Sequence, residues 1–149
     1  MRKILHGFGG LALLTLAGCD TIAEPRDPLT GQRWHLVEIE RPSQRPVLLR
    51  DSESDEHWVR FESGGRFVAG LDCNDGNGSW YRPGSGSYGA SQGLIEIGDI
   101  ASTRARCPTP SYGEEMAASL PLASAYEIYD GGRTLLIRTR IASYRFDAR

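Results

Sequence analysis

Lysine is all but missing from this chain: Lys3 is the only one among 149 residues. Past the N-terminus there is no amine for Schiff-base or lysine general-base chemistry, and every fixed positive side chain is an arginine. Codon bias is the simplest source of that usage; bidentate contacts to carboxylate or phosphate come second. Histidine is scarce too, with only His6, His35 and His57, none of them at zinc-ligand spacing from another. A basic excess is lacking, since the formal charge is −2, and that argues against non-specific nucleic-acid binding. No apolar run approaches the roughly 20 residues that span a bilayer. No internal repeat is present, and the length leaves room for one domain with one core.

What is there begins with an export signal. Arg2 and Lys3 precede the short apolar run ILHGFGGLALLTLA, which ends in Leu16-Ala17-Gly18-Cys19. These four residues resemble a bacterial lipobox, which implies cleavage before Cys19, acylation of Cys19 and a membrane-anchored chain facing the periplasm. An ordinary cleaved signal with a chance cysteine is the other reading. Asp20 follows directly, a position that enteric bacteria read as inner-membrane retention. Residues 1–18 are thus a signal peptide, and their loss removes Arg2 and Lys3, taking the formal charge from −2 to −4. Residues 19–30, with two prolines and scattered charges, read as a tether. Residues 31–149 are the domain.

With Cys19 given to lipid, Cys73 and Cys107 remain. In an exported chain such a pair most simply forms a disulfide; two reduced, buried thiols are the rival reading. Along the domain, period-two runs separated by glycine-rich turns indicate antiparallel strands. They are RWHLVEIE at 33–40, HWVRF at 57–61, RFVAG at 66–70, SWYR at 79–82, LIEI at 94–97, AYEIY at 125–129, RTLLIR at 133–138 and SYRF at 143–146. Ser63-Gly64-Gly65 and Asp130-Gly131-Gly132 are hairpin turns, and RPGSGSYGASQG at 82–93 is a loop. One helix breaks the pattern: Ser111 and Glu114 have capping-box spacing, and Met116, Ala117 and Leu120 form an apolar stripe before Pro121.

Four motifs invite chemistry. Asp72, Asn74, Asp75 and Asn77 begin like a calcium loop, but Gly76 stands where a ligand is needed and Pro83 where a bidentate glutamate is needed. The stretch DGNG reads instead as a tight reversal with positive φ. Gly89-x-Ser91-x-Gly93 fits a nucleophile elbow, yet a strand follows it and both later histidines precede it. Asp51, Glu53, Asp55 and Glu56 beside His57 read as a solvated acidic loop. His35 alternates with Trp34 and Leu36 and is expected to face solvent. Arg133, Arg138, Arg140 and Arg145 sit on or beside the last two strands, as polar positions of a sheet or as a patch for anionic lipid headgroups.

DCNDGNGSW at 72–80, IASTRARCP at 100–108, a helix and YEI at 126–128 together resemble the META-domain, or HslJ-like, family. Cys73, Asn74, Gly78, Ser79 and Trp80 fall in register, as do Ala101, Ser102, Thr103, Cys107 and Pro108. Trp34, Leu135 and Phe146 also fit. The resemblance implies an α+β, mainly antiparallel fold: one sheet of about seven to eight strands curled into an incomplete barrel, with one short packed helix. It implies a crosslink between Cys73 and Cys107, and structural roles for Asn74, Gly78, Ser79, Trp80, Thr103 and Pro108. It further implies an envelope lipoprotein tied to heat or antibiotic stress, without catalytic residues, metal or cofactor. Two departures stand out: Asp72 replaces the family's glycine, and the 82–93 loop is longer than usual. The expected function is a monomeric, non-enzymatic binding or structural module that meets the membrane through its anchor and an envelope component. A carrier of a small apolar ligand in the open barrel is the first alternative, and a Ser91 hydrolase is a distant third.

Overall fold

The computed structural model describes residues 27–84 and 90–149; Cys19, the leader and the centre of the 82–93 loop lie outside them. The strands are β1 (Trp34–Glu40), β2 (Val47–Leu48), β3 (His57–Phe61), β4 (Arg66–Leu71), β5 (Asn74–Tyr81), β6 (Gln92–Leu94), β7 (Glu96–Ile97), β8 (Ala101–Ser102), β9 (Ala123–Tyr129), β10 (Thr134–Thr139) and β11 (Ser143–Ala148). Two short helices, α1 (Asp51–Glu56) and α2 (Gly113–Ser119), complete the order. The main path of the sheet runs β6-β9-β10-β11-β1-β3-β4-β5-β7, every pairing along it antiparallel, with β2 on β1 and β8 on β5. It is a half-barrel, as expected, with more strands than expected.

Alternation builds it. Trp34, Leu36 and Ile39 of β1, Val59 and Phe61 of β3, and Leu135 and Ile137 of β10 point inward and are fully buried. Phe61 meets Phe67 and Trp80 edge to face at 5.3 and 5.1 Å. Each such side chain stabilises by about 1.5–3 kcal/mol through removal from water. β1 lies between β11 and β3, pairing Trp34 with Ala148 on one side and with Val59 on the other. Packing starts ahead of β1, where Leu29 is buried and its carbonyl accepts the Trp34 indole N–H at 3.0 Å.

Several local expectations are corrected. LIEI is not one strand. Gln92–Leu94 pairs with β9 and Glu96–Ile97 pairs with β5, so a single segment touches both edges of the curled sheet. The reversal falls at Asp72-Cys73, between the paired residues Leu71 and Asn74, and Asp75 to Gly78 belong to β5. The acidic run is helical, because the Glu53 carboxylate accepts the Arg50 backbone N–H at 2.9 Å and begins a turn. His35 does point away from Trp34 and Leu36, but α1 covers that face, so His35 is buried with Nδ1 donating to the Ser54 carbonyl at 3.1 Å. α2 starts at Gly113 rather than at a Ser111 cap, since the Tyr112 N–H is taken by His57 Nε2 at 3.1 Å. Met116 and Leu120 are buried as the stripe requires, and Pro121 sits in a 3-10 turn, Leu120–Leu122, that continues the helix.

Asp72 has a positive φ of 64°. Positive φ at the first residue of a two-residue hairpin turn is a glycine position that aspartate tolerates at a cost. Its Oδ2 is buried and has no hydrogen-bond partner among the described residues. Asp72→Gly relieves both, so urea denaturation should show a gain of roughly 1 kcal/mol despite the extra freedom of the unfolded chain. A loss would mean that the aspartate side chain holds the turn.

Candidate functional site

The chemistry-bearing residues converge at one end of the half-barrel, where the β4-β5 turn, the segment after β8 and the start of α2 meet. Cys73 and Cys107 are joined by a disulfide, with Cα atoms 5.4 Å apart. Beside it, Asn74 organises the segment that follows β8. Its Oδ1 accepts from Thr103 Oγ1 at 2.9 Å and from the Ala105 N–H at 2.7 Å, while its Nδ2 donates to the Ala105 carbonyl at 3.0 Å. Thr103 in turn accepts the Asp75 N–H at 3.1 Å. A short amide side chain is suited to this because it carries donor and acceptor together.

Glycines in β5 let the 98–100 segment cross closely. A Cβ on Gly78 would lie 2.8 Å from the Asp99 carbonyl, and one on Gly76 would lie 2.8 Å from Ile100 and Leu71. That is why the stretch is glycine-rich; no turn is involved. Ser79 accepts the Gly98 N–H on its carbonyl at 2.8 Å. Trp80 is buried, with its indole N–H on the Glu62 carbonyl at 3.0 Å. Of the motif residues, Cys73, Asn74, Thr103 and Cys107 come together; Gly78, Ser79 and Trp80 run away along β5, and Pro108 is exposed beside Cys107.

The calcium reading fails geometrically, since strand alternation buries Asn74 and exposes Asp75 and Asn77. Ser91 precedes β6, while Gly89 lies outside the described residues. Both described histidines are held near α1. His57 donates from Nδ1 to the Glu53 carbonyl at 2.6 Å and accepts the Tyr112 backbone N–H at Nε2, which ties α1 to the approach of α2. Sequence reading assigned His57 no such role, because its partners are backbone groups. The acidic residues of α1 meet arginines: Asp55 pairs with Arg149 at 2.7 Å and Glu53 with Arg50 at 2.5 Å. In the arginine set, Arg133 pairs with Asp130, Arg138 with Glu127 and Arg145 with Glu38, and Arg140 is exposed.

Beneath α2, Arg41 binds Glu115 through Nε at 2.7 Å, which raises the guanidinium further above its usual range. Tyr144 hydroxyl donates to Glu115 at 3.4 Å, and burial, with the glutamate charge adding to it, pushes the phenol up to about 12. An acid whose folded pKa is raised gives stability that is complete below its unfolded pKa and vanishes as pH climbs through the folded one. Stability should therefore decline between about pH 10 and 12, and Tyr144→Phe should flatten that limb. Denaturation midpoints at pH 8, 10 and 11.5 measure it; parallel declines in both proteins would assign the loss to other groups.

A groove of about 440 Å³ opens between β8 and α2. Leu71 and Ile100 contribute apolar surface, Ser102 and Arg104 form the strand side, and Gly113, Ala117 and Ala118 form the helix side. It continues past Arg104 and Glu114 into a second depression of about 390 Å³ beside Arg106 and Cys107. Inside the barrel Trp34, Phe61, Phe67 and Phe146 are all fully buried. Sequence reading missed Arg104 and Arg106. Their signal is two arginines at alternate positions in a stretch where Asp99 and Glu114 are the nearest carboxylates on either side.

Compared with known proteins, residues 27–148 match the model of the META domain. The fold resembles the NMR structure of a protein from Burkholderia xenovorans, with TM-score 0.57 and 14% identity over 92% of this chain and 99% of that one. It also resembles the crystal structure of a DUF4847 family protein from Bacteroides vulgatus, with TM-score 0.54 and 15% identity over 80% of this chain and 93% of that one. No curated protein matches the chain.

Proposed function

Since the chain belongs to the META-domain family, we propose that it is a lipid-anchored, non-enzymatic binding module of the cell envelope that works under heat or antibiotic stress. Cys19 carries the lipid, and the domain faces the periplasm. The observation that carries this reading is the use of cysteine. Cys73 and Cys107 form a disulfide, which belongs to an oxidising compartment, and the third cysteine ends a basic-then-apolar leader. The bulky aromatic side chains buried inside the barrel weigh against an apolar ligand carried there, and the groove beside β8 favours recognition at the surface near the disulfide.

Fractionation with an alkyne fatty acid tests the anchor. Wild-type chain should carry the label and sediment with membranes, whereas Cys19→Ser should carry none and stay with the leader uncleaved. An unlabelled wild-type chain would sink the anchor. A deletion strain should lose viability at elevated temperature or with an envelope-directed antibiotic, with rescue by wild type and not by Cys19→Ser; full rescue by that variant would remove membrane attachment from the function.

A further inference from the structure

β8 is an unfinished strand. Asp75 and Thr103, Gly76 and Ser102, and Asn77 and Ala101 stand opposite one another in a single register. Thr103 N–H donates to the Asp75 carbonyl at 3.1 Å, and both backbone groups of Ala105 are held by Asn74. In extended chain the N–H and C=O of successive residues point to opposite sides. With Thr103 and Ala105 turned toward β5, Ser102 and Arg104 turn theirs toward the groove, and among the described residues those groups meet no partner. Elsewhere the curled sheet is joined edge to edge by the Gln92–Ile97 segment. Here α2 stands across the gap and presents Ala117 and Ala118, too small to fill it.

We propose that this gap takes an extended segment of a partner polypeptide, which adds as a strand to Ser102 and Arg104 and carries carboxylates at alternate positions. The backbone edge supplies affinity, as in other cases of strand addition. Charge supplies selectivity. Arg104 and Arg106, two residues apart and therefore on one face, are exposed and have no ion-pair partner among the described residues. Opposite charges directly across adjacent strands attract, and like charges repel. Glu114 lies on the helix wall and disfavours a carboxylate on the side chain that faces α2, which is why acidic residues are expected only at every second position. The proposal rests on the binding-module reading and is independent of the lipid on Cys19.

The test uses the detergent-solubilised full chain and three labelled eight-residue peptides: alternating Val-Glu, alternating Val-Lys, and Val-Glu with every second amide N-methylated. The Val-Glu peptide should bind at least tenfold more tightly than the other two, with amide NMR shifts concentrated at Ser102, Arg104 and α2. Arg104→Glu/Arg106→Glu should reverse the preference in favour of Val-Lys. Equal binding of the methylated peptide would overturn strand addition and leave only charge attraction. No binding, or an unreversed preference in the folded double variant, would overturn the site while leaving the anchor to stand or fall by fractionation.

Discussion

Replacing Cys73 and Cys107 together by alanine should lower the thermal midpoint by roughly 15 °C, from a loss of about 4 kcal/mol. The magnitude comes from the loop that the bond closes, 34 residues of separation along the chain, and the effect resides mainly in the unfolded ensemble. Cutting the crosslink lets that ensemble expand, while the folded clamp around Asn74 keeps its bonds to Thr103 and Ala105. The same loss is therefore expected from serine pairs and from alanine pairs, because little packing is at stake. Calorimetry of both pairs checks it. A fall below about 5 °C would show that the crosslink restricts the unfolded chain far less than its loop length implies.

Gly113→Ala should destabilise by about 2–4 kcal/mol, against the ordinary rule for helices. Alanine in place of glycine within a helix commonly gains up to about 1 kcal/mol. At Gly113 the added Cβ would lie 2.2 Å from the Leu71 carbonyl oxygen and 2.6 Å from its carbon. Both are main chain of β4, so no side chain can rotate aside, and relief requires α2 to move off the sheet. That movement disturbs the packing of Met116 and Leu120, which are fully buried. Urea titration of the single variant measures the cost. A neutral result would mean that α2 rides loosely over β4 and that the groove beside it has no fixed width.

The strands that could be read from the sequence are those with one wet and one dry face. β3, β9 and β11 alternate in burial along their length, and alternation survives any choice of neighbour. Neighbour choice itself was hidden: nothing in Leu94 to Ile97 says that the segment changes partners at Ile95. Gly76 and Gly78 looked like a turn because a glycine needed for positive φ and a glycine needed for close approach are the same letter. α1 carries no apolar stripe, so only its contacts reveal it, and with it the burial of His35. At the candidate site, the cysteine count made the disulfide visible. Arg104 and Arg106 stayed hidden because their importance depends on which carboxylates are near in space, and on a gap that exists only once α2 and β8 face each other.

The placement of β1 between β3 and β11 has a temporal side. Its partner along most of its length is the last strand of the chain, with Leu36 opposite Phe146 and Glu40 opposite Ser143. Such pairing gives the domain high contact order, a feature of slow folding. Synthesis from the N-terminus leaves β1 half-paired until residues 143–148 have emerged. Until then β1 is paired on its β3 side alone, and its other edge stays open to whatever strand reaches it first.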